Sequence, residues 1–121
     1  MFPGMKLTFL YQPVEDLEAA VAFYRDTLGL DESWREGKTT AAFALPGTEV
    51  ELMLDVPETD GVERLAGGFF GVDSVDRFFA EHEGIEPVGD VIDVPGGRAA
   101  TFLDPAGNVI RIFDQSAPAP E

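Results

Sequence analysis

No cysteine occurs among the 121 residues, which removes disulfide staples, thiolate metal sites and cysteine nucleophiles together. Positive charge is almost as scarce: eight lysines and arginines face 23 acids, for a net charge of −15. Polyanions have to be met by basic patches, so nucleic acid and anionic membrane surfaces are poor partners for such a chain. His82 is the one histidine, and no nucleophile-elbow motif accompanies it, so a serine, histidine and acid triad has no support. No apolar run approaches the ~20 residues needed to span a bilayer, and Met1 to Met5 lacks the charged and apolar regions of a signal peptide. A soluble cytoplasmic protein is therefore expected.

What remains is a chain with 45% hydrophobic and 11% aromatic residues, enough to build the core of one compact domain. Its acidity and its poverty in lysine suit a high-salt, halophilic cytoplasm, where screening suppresses self-repulsion. The same acidity steers cationic partners towards it.

The chain reads as a duplication. Phe43-Ala-Leu-Pro-Gly47 leads into Thr48-Glu-Val-Glu-Leu-Met-Leu54, and Phe102-Leu-Asp-Pro-Ala-Gly107 leads into Asn108-Val-Ile-Arg-Ile-Phe113. Each copy is strand, Pro/Gly turn, strand. Upstream, Thr8 to Tyr24 and Gly67 to His82 both read as strand, acidic turn and amphipathic helix. The expected fold class is α+β, with two tandem βαβββ modules, the first about 5–55 and the second about 66–114.

In the first module, Lys6 to Gln12 alternates as a strand and Pro13 ends it. Asp16 caps a helix of about three turns, with Leu17, Ala20, Val21, Tyr24 and Leu28 at helical spacing and Gly29 at the C′ position. Strands follow near Glu32 to Glu36, Thr39 to Leu45 and Thr48 to Asp55. Val56 to Glu63 connects the modules. The second module runs through a strand at Gly67 to Val72, a cap at Asp73 or Ser74, and a helix carrying Val75, Phe78 and Phe79 that ends near Gly84. Strands near Glu86 to Val94, Arg98 to Leu103 and Asn108 to Phe113 complete it. The tail 115–121 has no pattern and is expected to fray. Gly96-Gly97-Arg98 fits a hairpin turn, since it lacks the spacing and following helix of a nucleotide loop.

The segments "VEDLEAAVAFYRDTLGL" and "FLDPAGNVIRIFD", together with the βαβββ repeat, resemble the vicinal oxygen chelate (VOC) superfamily, also called glyoxalase, bleomycin-resistance and extradiol-dioxygenase-like. The resemblance covers about Met5 to Asp114. It implies a curved mixed sheet around a cavity, with metal ligands, where a member has them, on the first and last strands of both modules. Those positions fall at Phe9, Glu51, Gly67 and Arg111. Phenylalanine and glycine offer no ligand atom, and a guanidinium repels a divalent cation. One carboxylate cannot make the oxygen and imidazole shell that Zn²⁺, Fe²⁺, Mn²⁺ or Ni²⁺ needs. No metal and no other cofactor is expected.

Strand parity gives an independent reading of the same residues. Ile110 and Ile112 face the helix while Val109, Arg111 and Phe113 face away, and Glu51 and Met53 share a face opposite Val50, Leu52 and Leu54. Pseudo-symmetry between the modules suggests an ion pair of Glu51 with Arg111. That pair either fills a vacated metal site, or Arg111 reaches solvent on its long stem, or Arg111 presents a bidentate fork to a ligand carboxylate or other oxyanion. Phe9, Tyr11, Trp34, Phe69 and Phe113 are candidate walls for a flat or apolar ligand, or ordinary core aromatics. His82 sits on or beside the apolar stripe of its helix and reads as structural.

The leading expectation is a metal-independent small-molecule-binding protein similar to the antibiotic-sequestering bleomycin-resistance branch. Its ligand is cationic or carboxylate-bearing, and the resemblance implies a homodimer with a groove between subunits. The alternative is a divalent-metal-dependent lyase, isomerase or dioxygenase of the same superfamily. A third reading is an accessory domain whose role is association.

Overall fold

The computed structural model describes residues 5–58, 61, 65–94 and 96–115. The tail from Ser116 and most of the stretch from Thr59 to Arg64 lie outside them. The chain divides into two compact units, residues 8–67 and residues 68–121 with 1–7. Among the described residues, each has a four-stranded mixed sheet and one α-helix, the α+β repeat expected.

In the first unit the strands run β1 (Lys6–Pro13), β2 (Glu32–Glu36), β3 (Thr40–Ala44) and β4 (Glu51–Asp55), ordered β2-β3-β4-β1. β1 lies parallel to β4, with Phe9 opposite Glu51 and Tyr11 opposite Met53. The other two pairings are antiparallel. A parallel pair cannot be joined by a tight turn, and α1 (Leu17–Ala22) lies in the crossover. Asp16 caps α1, accepting from the Ala19 N–H at 3.1 Å. Leu17 and Val21 pack on Ala41 and Phe43 of β3 and Leu52 and Leu54 of β4, so alternate residues of those strands face the helix.

The helix departs from expectation at its end. After Ala22 the chain widens into a π-helical turn, Phe23–Thr27, where the Leu28 N–H reaches the Phe23 carbonyl at 3.0 Å. Gly29 then takes φ +79°, the left-handed C′ conformation that its position suggested. The wider turn leaves Phe23 48% and Leu28 55% exposed, which breaks the continuous apolar stripe read from spacing. β4 also starts later than Thr48, because the Thr48 hydroxyl is spent in the turn, donating to Leu45 O at 3.0 Å and accepting from Val50 N at 3.1 Å.

The second unit repeats the plan with β5 (Gly67–Gly71), α2 (Val75–Glu81), β6 (Ile92–Val94), β7 (Gly97–Leu103) and β8 (Val109–Phe113), ordered β5-β8-β7-β6. β5 is parallel to β8. Ser74, not Asp73, caps α2, accepting from Arg77 N at 3.1 Å. Val75 and Phe78 pack against Ala100, Phe102 and Ile112. The helix ends at Glu81, and His82 stacks its ring on Phe78 at 4.4 Å with Nδ1 2.7 Å from the Phe78 carbonyl. The structural reading of this histidine thus matches its surroundings.

The strand expected from Glu86 shrinks to Ile92–Val94, since Pro87 and Gly89 interrupt the ladder; between them Val88 N still donates to Thr101 O at 2.7 Å. The Asp104-Pro-Ala-Gly-Asn108 motif proves to be a turn clamp. Asp104 Oδ1 accepts from Ala106 N and Asn108 N at 2.9 and 2.8 Å, and Oδ2 from the Asn108 amide at 2.9 Å. The Asn108 bonds, side chain first, hold the Asp104 carboxyl below its ordinary range. No described helix is long and apolar enough to cross a membrane.

Candidate functional site

In the first unit, one face of the sheet is committed to the helix and the other collects five of the residues singled out by sequence. Phe9 and Tyr11 of β1, Trp34 of β2, and Glu51 and Met53 of β4 all lie on the face away from α1, by the same alternation that buries Leu52 and Leu54 on the helix side. Trp34 is opposite Ala42, whose other neighbour is Met53. Ala42 and Ala44 are small, so the indole can lie across β3. Trp34 Nε1 donates to Glu51 Oε1 at 3.0 Å, and Phe9 meets the indole edge-on with centroids 6.0 Å apart. The described hydrogen bond to Glu51 therefore comes from a neutral donor in its own sheet.

Two residues further along β4, the same face carries Asp55, which sequence reading passed over. The Tyr11 hydroxyl donates to Asp55 Oδ2 and the Thr40 hydroxyl to Oδ1, both at 2.6 Å. Tyr11 is only 8% exposed, so the aromatic that looked like a ligand wall also serves to fix a carboxylate. Asp55 was visible in principle: counting on from Glu51 and Met53 places it on the same face.

In the second unit the face away from α2 carries Phe69, Arg111 and Phe113. Phe69 is opposite Arg111 and Gly71 opposite Phe113, with Thr101 and Ala99 on the other side of β8. The Phe69 and Phe113 rings meet edge-on at 5.3 Å, and Arg111 is buried, at 5% exposure, so its side chain does not reach solvent on its long stem. The parity read from sequence holds, since Ile110 and Ile112 pack on the helix side. Where β5 and β8 end, an open cleft of about 380 Å³ is lined by Gly71, Val72, Asp73, Phe113, Asp114 and Gln115.

Asp114 is a second residue that the sequence reading left without a role. It is 2% exposed, and its carboxylate accepts from Val75 N at 2.6 Å and Arg98 N at 2.9 Å. It ties the start of α2 to the start of β7, and Gly97 approaches it so closely that an added Cβ would lie 2.0 Å from the Asp114 carbonyl oxygen. These partners are 39 and 16 residues away in sequence, which is why no local pattern announces them.

The ladders also revise the internal equivalence of the modules. Val14 N bonds Asp55 O, and Val72 N bonds Phe113 O, at 2.9 and 2.8 Å. Taken with the registers, this places Phe113 at the level of Asp55 and Arg111 at the level of Met53, not of Glu51. The aligned Pro/Gly hairpins set Glu51 against Arg111, but in the ladders Phe43 faces Leu52 and Phe102 faces Ile110, so the second hairpin closes one residue sooner and the level of Glu51 falls at Val109, two residues before Arg111. Symmetry alone no longer argues for an ion pair of Glu51 with Arg111.

The donor set at the family's metal positions does not fit a divalent ion. Phe9 is opposite Glu51, Gly67 stands one step before the Gly68 and Ile110 pair, and Arg111 is a cation. Among the described residues, no group of three or more histidines, aspartates or glutamates is arranged to hold a metal.

Comparison with known proteins gives a family match and several fold matches. Residues 6–112 match the model of the Glyoxalase/Bleomycin resistance protein/Dioxygenase superfamily. A crystal structure described as an NAD-dependent benzaldehyde dehydrogenase from Legionella pneumophila is similar with TM-score 0.69 at 19% identity, over 88% of this chain and 96% of that one. Methylmalonyl-CoA epimerase from Mycobacterium tuberculosis gives 0.66 at 21% identity, over 95% and 89%. A variant of the Streptomyces coelicolor methylmalonyl-CoA epimerase, in complex with 2-nitronate-propionyl-CoA, gives 0.65 at 21%, over 93% and 98%. No curated protein matches in sequence. At these identities the solved structures speak for the fold alone.

Proposed function

The chain belongs to the Glyoxalase/Bleomycin resistance protein/Dioxygenase superfamily, and from that premise we propose that it binds a small organic molecule without a divalent metal at the family's metal positions. One observation carries this reading. Of the four positions only Glu51 offers an acid, and its carboxylate accepts from the Trp34 indole at 3.0 Å within a face of aromatic and aliphatic side chains. A metal shell needs several oxygen or nitrogen ligands, whereas aromatic walls with a few placed polar groups suit an organic ligand. Sequestration of an antibiotic or similar compound in a dimer groove is the form this function takes in the branch the sequence resembles.

The competing reading is a metal-dependent lyase, isomerase or dioxygenase, and methylmalonyl-CoA epimerases do share the fold. It would have to recruit ligands away from Phe9, Gly67 and Arg111. Thermal unfolding in the presence of Zn²⁺, Mn²⁺, Ni²⁺ or Fe²⁺, with Glu51→Gln as the comparison, separates the two. The binding-protein reading expects no metal-specific rise in the midpoint. A rise at equimolar metal that Glu51→Gln abolishes would overturn it, because a ligand stabilises only the state that binds it.

A further inference from the structure

The face of the first unit that bears Trp34 is asymmetric in charge in a way the proposed function does not by itself require. Its register positions include Glu36, Glu51 and Asp55. The described basic residues between 8 and 67 are Arg25, Arg35 and Lys38, and Lys6, at the start of β1, falls by strand alternation on the side of Leu10 and not on that of Phe9 and Tyr11. Arg25 bonds Asp26, and Arg35 bonds Glu18 and Glu32, the latter two on the helix side of the sheet. Lys38 lies in the turn between β2 and β3.

Asp55 is the best-held of the acids. Both of its hydroxyl bonds are 2.6 Å long, within the range of an O–H group donating to an ionised carboxylate. Tyr11 and Thr40 come from β1 and β3, on either side of β4, so the carboxylate is gripped from both neighbouring strands. Hydroxyls orient a carboxylate but leave its charge in place, and a carboxylate has acceptor sites for about four hydrogen bonds, of which these use two. Beside it on β4 is Met53, a soft and adaptable surface. Two strands across from Met53, beyond Ala42, is Trp34 with its indole. A fixed negative charge next to thioether and aromatic surface is complementary to an organic cation: the carboxylate takes the charge, and the sulfur and rings cover the carbon skeleton.

We infer that this face binds a small organic ammonium ion, with Asp55 as its anchor, Tyr11 and Thr40 as the residues that position that anchor, and Met53 and Trp34 against the ligand's carbon skeleton. The inference rests on the small-molecule reading above and narrows it to one charge class. Because Asp55 is not a family metal position, the two fail separately.

Trp34 is the only tryptophan, so intrinsic fluorescence reads this face directly. Three probes of one skeleton and different charge are titrated at fixed ionic strength: benzylammonium, benzyl alcohol and benzoate. Benzylammonium should change Trp34 emission saturably and more tightly than the other two. Asp55→Asn should weaken it about ten- to hundredfold, the loss expected when a hydrogen bond to a charged partner goes, with benzyl alcohol unmoved. Thr40→Val removes one of the two hydroxyls that orient the carboxylate, so it should weaken benzylammonium by a smaller factor, about two- to tenfold, and leave benzyl alcohol unmoved, which keeps the test available should Asp55→Asn fail to fold by circular dichroism. Equal affinity for all three probes, benzoate bound in preference, no saturable response to benzylammonium, or undiminished benzylammonium affinity in a folded Asp55→Asn or Thr40→Val would each overturn the inference. The first two would leave small-molecule binding standing, while the metal titration judges that reading independently.

Discussion

Removing the Asp114 carboxylate should be among the most damaging single changes in the second unit. The side chain is 2% exposed and accepts two backbone N–H groups, at 2.6 and 2.9 Å. Hydrogen bonds to a charged group are worth about 1.5–3 kcal/mol each, so their loss amounts to about 3–6 kcal/mol, with the Val75 and Arg98 amides left buried. Against this, Asp114→Ala relieves the desolvation of a buried carboxylate, which is a cost of a few kcal/mol. We expect a net loss of about 3 kcal/mol, a large share of the roughly 5–15 kcal/mol that holds a domain folded. With a urea slope of about 2 kcal/mol/M, the midpoint falls by about 1.5 M, read by far-UV circular dichroism. Gly97→Ala attacks the same clamp from the other side, since its Cβ would sit 2.0 Å from Asp114 O and 2.5 Å from Oδ1. The two changes should therefore combine to less than their sum. A midpoint shift under about 0.3 M for Asp114→Ala, or strict additivity with Gly97→Ala, would refute the clamp.

Two further outcomes follow from the charges. Asp104 is held below the usual carboxylate range, chiefly by the Asn108 side chain and then by its backbone N–H. With the folded value depressed, its contribution is present above about pH 4 and lost as pH falls through the folded value. Asn108→Ala should raise the Asp104 titration midpoint in a carboxyl NMR experiment, and an unchanged midpoint would contradict the turn account. With a net charge of −15, stability should rise between 0.1 and 1 M salt as the screening length shrinks from about 10 to 3 Å. Stability that falls over that range would remove the argument for a high-salt environment.

Most of the fold was legible because its signals are local. The Asp16 and Ser74 caps, the Gly29 C′ position and the two Pro/Gly hairpins each act over a few residues, and strand parity correctly put Glu51, Met53 and Arg111 on faces away from the helices. Features that depend on distant partners were not legible. The π-helical turn at Phe23–Thr27 is too short to leave a period of its own. The short β6 reflects a ladder that Pro87 and Gly89 interrupt, though the flanking residues look strand-like. Asp55 and Asp114 acquire their roles from Tyr11 and Thr40, and from Val75 and Arg98, across gaps that no motif spans. The two-residue offset of Arg111 from the Glu51 level was hidden for the same reason: it is set by register against β1 and β5, while the sequence repeat aligns hairpin to hairpin.

The central claim is that an organic ligand, and not a divalent metal, occupies this member of the superfamily. Native mass spectrometry of the purified protein, with metal analysis on the same sample, tests it most directly, because it reports subunit count, metal and any co-purified small molecule together. The account predicts a metal-free homodimer that carries or accepts an organic adduct. One equivalent of Zn²⁺, Mn²⁺, Ni²⁺ or Fe²⁺ per chain would contradict it and make the metal-dependent enzyme the leading reading.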